Sequence, residues 1–188
     1  MTVGGTAKGA RRRELIAAAA AALVLDQGPG ALSHRAVAAR AGVPLAATTY
    51  YFRDLDELAA VAGAALVDSW TAHARAVLDA LTDGDEPAAV LAEALLPPGD
   101  DAAIRAHHEQ VLALGRNPVL ATAVGAARVR LDAVLTELIE AVLGRGAPAR
   151  TRDPELVLAV VDGAVVAAAS EGRAIRPHTR RLLGILLA

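Results

Sequence analysis

The chain has 188 residues, 54% of them hydrophobic and 21% charged, a balance that fits one or two small folded domains and excludes a disordered polypeptide. It contains no cysteine, which excludes disulfides, thiolate zinc sites and a cysteine nucleophile. The net charge of −2 hides an uneven distribution, because residues 1–53 carry Lys8, Arg11, Arg12, Arg13, Arg35, Arg40 and Arg53 against Glu14 and Asp26, whereas residues 54–188 hold 12 basic and 19 acidic groups. A basic head on an acidic body sets one end of the molecule against phosphate and keeps the rest off it.

Residues 1–9 are rich in glycine and threonine and are expected to form a flexible basic arm. A first helix is predicted from about Ala10 to Gln27, with Leu15, Ile16, Ala19, Leu23 and Val24 on one face, and Gly28-Pro29-Gly30 ends it. Ser33 is a natural N-cap for a short helix through Arg40, Gly42 suits a left-handed turn, and Pro44 suits the first turn of a helix over Leu45–Tyr51. Asp54 or Asp56 then caps a long helix to about Leu81. Further helices are predicted over Pro87–Leu96, Asp101–Leu114, Asn117–Leu143 and Asp153–Ser170, with Gly144–Pro148 as a loop and a last short helix after Pro177. No segment alternates like a strand, so the chain reads as all-α with about nine helices. The longest apolar run, Leu15–Leu25, is too short to span a bilayer and no secretory leader is recognisable, so a cytoplasmic location is expected.

Three of the four aromatic residues stand together as Tyr50-Tyr51-Phe52, closing the stretch that begins at Ser33. The spacing within 33–52 suits a helix-turn-helix. Val37 and Ala41 would face inward, Ala38 would be the small contact, Gly42 the turn and Val43 the first anchor beyond it, with Thr48 and Tyr51 buried. Leu45, Ala46, Ala47, Thr49 and Tyr50 are then left on the side that enters a DNA groove. An ordinary pair of packed helices would show the same short Ala/Gly/Val pattern. The Arg11-Arg12-Arg13 run reads equally as a solvated helix start or as a phosphate or minor-groove contact.

The first helix, together with Ser33-x3-Val-Ala-x3-Gly-Val-Pro-x3-Thr-Thr-Tyr-Tyr-Phe-x5-Leu58, resembles the N-terminal domain of TetR-family transcriptional regulators over about residues 10–60. The resemblance implies a DNA-binding head over 10–56 and a ligand-binding and dimerisation domain over 57–188. It implies a homodimeric repressor that leaves a palindromic operator when a small molecule shifts its heads out of step with successive major grooves. Arg35, at the start of the second helix two residues beyond Ser33, would contact phosphate or a base. Leu45, Ala46 and Ala47 would face the major groove, and Thr49 and Tyr50 would hold phosphates, with Lys8, Arg11, Arg12 and Arg13 adding basic contacts. Three positions depart from the family pattern. Thr49 stands where tyrosine is common, Leu55 replaces a phosphate-contacting lysine, and Pro44 replaces a serine-like cap. Leu45 and the two alanines can pack on thymine methyls but cannot form bidentate base contacts, so specificity should lean on Arg35, Thr49, Tyr50 and the basic arm, with DNA shape adding the rest.

In the body, Val124, Leu131, Val134, Leu135, Leu138 and Val142 form one apolar stripe, and Leu156, Val157, Val160, Val161, Ala164, Val165 and Ala168 form another. One stripe must serve the chain's own core. The family resemblance assigns Leu131, Leu135, Leu138, Val142, Val157, Val160, Val161, Ala164, Val165 and Ala168 to a four-helix interface with a second subunit. Trp70 and His73 share a helix face and His107-His108 lie on a helix that should oppose it, which nominates these four for a hydrophobic inducer. Adjacent histidines point to different sides, so no metal site is expected, and no cofactor motif occurs. Two other readings stand beside the repressor. One is a helical ligand-binding dimer with weak or lost DNA affinity, favoured by Leu55 and the apolar recognition face. The other is an enzyme, which would need an oriented acid and an oxyanion loop that Ser33-His34 do not bring.

Overall fold

A computed structural model describes residues 3–144 and 149–188 of the chain, with side chains over 7–144 and 151–188. Among the described residues there are nine α-helices and no strand: α1 (Val3–Gln27), α2 (His34–Ala41), α3 (Leu45–Tyr51), α4 (Leu55–Asp79), α5 (Pro87–Leu95), α6 (Asp101–Leu114), α7 (Pro118–Leu143), α8 (Pro154–Ser170) and α9 (Ile175–Leu187). Short 3-10 turns occupy Pro29–Ala31 and Ala149–Arg152. The expected loop over 144–148 lies outside the described residues beyond Gly144. No described helix is long and apolar enough to cross a membrane.

Side-chain caps account for most helix starts. Asp54 accepts the Glu57 amide at 2.8 Å, which settles the choice between Asp54 and Asp56. Asn117 accepts from Val119 and Leu120, Asp153 from Glu155, and Glu86 from both Ala88 and Ala89. Each satisfies donors that the first turn leaves without an intrahelical partner. Two predicted starts are corrected. The arm expected at residues 1–9 is helical from Val3 onward. Its glycines argued for coil, but once the alanine-rich turns form, each added residue gains a hydrogen bond without a new nucleation cost. The last helix begins at Ile175 rather than after Pro177. Pro177 sits in its first turn, where a missing amide proton costs nothing.

The chain divides into two compact units, residues 1–67 with 109–127, and residues 68–108 with 128–188. In the first unit the core is built from Ile16, Ala20 and Val24 of α1, Val37 of α2, Phe52, and Leu58, Ala62 and Leu66 of α4. Gly63 marks a close helix crossing there, since a Cβ added to it would lie 3.0 Å from the Ala123 Cβ and 3.2 Å from the Leu120 carbonyl. In the second unit α9 packs on α8 and α5. Leu91, Ile104, Leu135, Leu138, Ile139, Val157, Ala164, Ile175 and Leu183 fill its interior. This geometric partition differs in kind from the functional boundary expected at residue 56.

Candidate nucleic-acid interface

The α2–turn–α3 segment is held by short-range bonds that its residue types require. Ser33 adopts an extended conformation, and its hydroxyl accepts the Ala36 amide at 3.2 Å. Gly42 takes φ 63°, ψ 37°, and the Val43 amide returns to the Ala38 carbonyl at 3.0 Å, closing α2 with the left-handed turn that glycine permits. Val37, Ala38 and Val43 are buried as expected. Thr48 is fully buried and its hydroxyl donates to the Leu45 carbonyl at 2.8 Å, with a longer contact to His34 O at 3.4 Å that reaches across to α2. Phe52 is also fully buried, whereas Tyr51 is half-buried with its ring edge against Tyr50 at 5.1 Å.

The opposite face is open. Tyr50 is 81% exposed and Leu45 47%; Ala46 and Thr49 are exposed and Ala47 is half-buried. Ser33 and Arg35 are exposed at the start of α2, as are Lys8, Arg11 and Arg12 on α1. Arg13 behaves differently from its neighbours. Its guanidinium lies 4.8 Å over the Phe52 ring and bonds Glu57 at 3.1 Å. Glu57 in turn accepts the Arg53 amide at 3.0 Å, and that bond first, with Arg13 and Arg53 beside it, holds its carboxyl below the usual carboxylate range. Arg13 is thus a clamp between α1, the end of α3 and the start of α4. Successive helical residues are rotated by about 100°, so a run of three arginines has to divide between solvent and core. Arg40 is likewise engaged, with Asp26 at 2.6 Å. Arg53, whose side chain is largely exposed at the end of α3, is a cation the sequence reading did not nominate, although its place beside the aromatic cluster was the signal.

Of the four residues nominated for a ligand, two come together. The rings of Trp70 and His107 meet edge to face with centroids 5.9 Å apart, and the buried Trp70 indole N–H has no hydrogen-bond partner in the structure. Burial, and then the neighbouring His108, pushes the His107 pKa below the ordinary histidine value. His108 follows on α6 and is half-buried. His73 turns away to α5, where its Nε2 lies 2.9 Å from the Glu93 carbonyl. Among the described residues no three histidine, cysteine or acidic side chains are grouped to hold a metal ion.

No family model and no curated protein sequence matches the chain significantly. Solved structures do. The chain is 30% identical to the multidrug binding protein EbrR in its imidazole complex, with 94% of this chain and 95% of that one covered at a TM-score of 0.63. The chain belongs to the TetR family. A TetR-family member from Streptomyces coelicolor A3 is 28% identical over 94% of this chain and 98% of its own, with a TM-score of 0.61. A transcriptional regulator from Rhodococcus sp. Rha1 is 25% identical over 93% and 95%, with a TM-score of 0.67. Other EbrR structures hold malachite green, proflavin or ethidium. As a TetR-family protein the chain is a DNA-binding transcriptional regulator and not an enzyme.

Within this TetR-family chain, eight of the ten side chains expected at a subunit interface are buried already in the single chain. Leu131, Leu135, Leu138, Val157, Val161, Ala164, Val165 and Ala168 are buried in the chain's own second unit, and only Val142 and Val160 keep part of their surface. The apolar side chains that remain outward are Leu156 and Val166 of α8, Val129 of α7 and Ile185 of α9.

Proposed function

We propose that the protein is a homodimeric repressor, released from a palindromic operator by a hydrophobic small molecule. In this reading residues 10–56 form the DNA-binding head and residues 57–188 the ligand-binding and dimerisation domain, with residues 1–9 as a basic extension. The observation that carries it is the uncovered face of α3, where Tyr50 and Leu45 project beside Thr49, Ser33 and Arg35 while Thr48 and Phe52 anchor the other side. Arg35, Tyr50, Thr49, Lys8, Arg11 and Arg12 supply phosphate and base contacts, and Arg53 joins them. Leu45, Ala46 and Ala47 offer methyl contacts to the groove floor. Arg13 acts by positioning the end of α3, through Phe52 and Glu57. Titrating the protein onto the DNA upstream of its own gene, over a salt series, tests this reading. Binding should weaken steeply with salt, by a log–log slope of about 0.9 for each phosphate contacted.

The partner surface in this proposal is the outward side of α8. Leu156, Ala159, Gly163 and Val166 follow one another along it, with the half-exposed Val160 beside them. A side chain at Gly163 would meet nothing within 4 Å in the single chain, which leaves room for a second helix. The inducer site is the Trp70–His107 contact. Its unpaired indole N–H suits a ligand with an acceptor atom beside a flat apolar body, and EbrR's aromatic ligands support the same class. A second reading, a ligand-binding dimer with weak DNA affinity, is favoured by the apolar Leu45, Ala46, Ala47 and Leu55. The same titration separates the two, since that protein would bind its upstream DNA no better than random sequence.

A further inference from the structure

We propose a second small-molecule site in the 68–108/128–188 unit, a groove of about 590 Å3 between α5 and α9 that takes an amphipathic monocarboxylate. The volume lies within the range of small-ligand pockets. Helical spacing puts Arg176, Pro177, Arg180 and Arg181 on one side of α9, while Ile175, His178, Thr179 and Leu183 face the core. Across the groove α5 presents Glu86, Ala89, Ala92 and Glu93. Two of the three guanidinium groups are already matched. Arg176 bonds Glu93 at 2.8 Å and the Pro97 carbonyl at 2.9 Å, and Arg180 bonds Glu86 at 2.7 Å. Glu86 is fixed further by the α5 amides it caps.

These pairs stiffen the walls and leave Arg181, which makes no hydrogen bond or ion pair among the described residues, as the groove's unbalanced charge. Ala89, Ala92 and Pro177 are too short to fill the space, and the arginine stems add apolar wall above them. One anionic head on Arg181 with an apolar body over the alanines satisfies both features. A polyanion would meet Glu86 and Glu93, and a cation would meet the excess positive charge. The groove shares no residue with the Trp70–His107 contact or with the face of α3, so this inference stands apart from the proposed repressor mechanism.

Octanoate is the probe, with octanamide as its uncharged counterpart, measured by isothermal titration calorimetry on the full chain. Octanoate should bind saturably, about tenfold more weakly to Arg181→Ala, and not measurably to Arg181→Glu. Ala89→Leu should also weaken it by occupying the floor, and Trp70→Ala should leave it unchanged. Arg181 is exposed, so its variants should keep the helical circular dichroism of the parent. The proposal is overturned by absence of saturable octanoate binding, by octanamide binding equally well, by insensitivity to Arg181, or by loss of binding in Trp70→Ala.

Discussion

Arg13 and Arg35 are both arginines of the basic head, yet they carry opposite duties. Arg13 is turned inward over Phe52 and tied to Glu57, whereas Arg35 is exposed. Arg13→Ala should lower stability by about 0.5–1 kcal/mol through the lost ring contact alone, read as a shifted urea midpoint. Arg35→Ala should leave that midpoint unchanged but lower the salt slope of DNA binding by about one unit. Equal effects of the two substitutions on stability would contradict the assignment. Sequence could not separate the members of the Arg11–Arg13 run, because a charge run reports composition and not which side of the helix meets the core. The contact that His73 makes was hidden for a related reason. Its i, i+3 spacing from Trp70 fixed a helix face, but the Glu93 carbonyl that claims its ring lies 20 residues away.

At the scale of elements, the helix-turn-helix was the most legible part of the chain. Ser33, Gly42 and the buried Val37, Ala38, Val43 and Thr48 each do what their residue type dictates locally, so no distant partner had to be known. Ser33→Ala should cost about 1 kcal/mol by removing the cap of α2, measurable by thermal unfolding. The apolar stripes of α7 and α8 were legible only as stripes. Periodicity says that one face is buried, but it does not say whether the chain itself or a second copy buries it; eight of the ten nominated side chains are buried already in the single chain. The crossing at Gly63 left no readable sign either, because a glycine within a helix pattern resembles any weak helix former. Gly63→Val should destabilise by about 1–3 kcal/mol, since its methyls would meet Leu120 and Ala123 of α7. An unchanged melting temperature would show that these helices are not in close contact.

For the molecule as a whole, two measurements address assembly and pH. Sedimentation equilibrium should give a dimer, and Val166→Glu should shift it toward monomer by placing a charge on the outward face of α8. A concentration-independent monomer in the parent protein would remove that interface. His107 and His178 are both held below the ordinary histidine pKa of 6.5, His107 by burial and then His108, and His178 by burial and then Arg173 and Arg181. Between the lowered folded values and 6.5 the unfolded chain binds more protons, so stability rises with pH in that window. The melting temperature should therefore fall as pH is lowered from 7 toward 5, before the carboxylates titrate. The double variant His107→Gln/His178→Gln should flatten that slope.

The central claim, that the uncovered face of α3 and the start of α2 grip operator DNA, is tested most directly by one titration. Upstream DNA and random DNA are each bound by the parent protein, by Arg35→Ala and by Tyr50→Ala at several salt concentrations. The expected result is tight, salt-sensitive and sequence-selective binding by the parent, with both variants weakened and the Arg35→Ala slope shallower by about one. Equal affinity of all three proteins for upstream DNA, or no preference over random DNA by the parent, would contradict it.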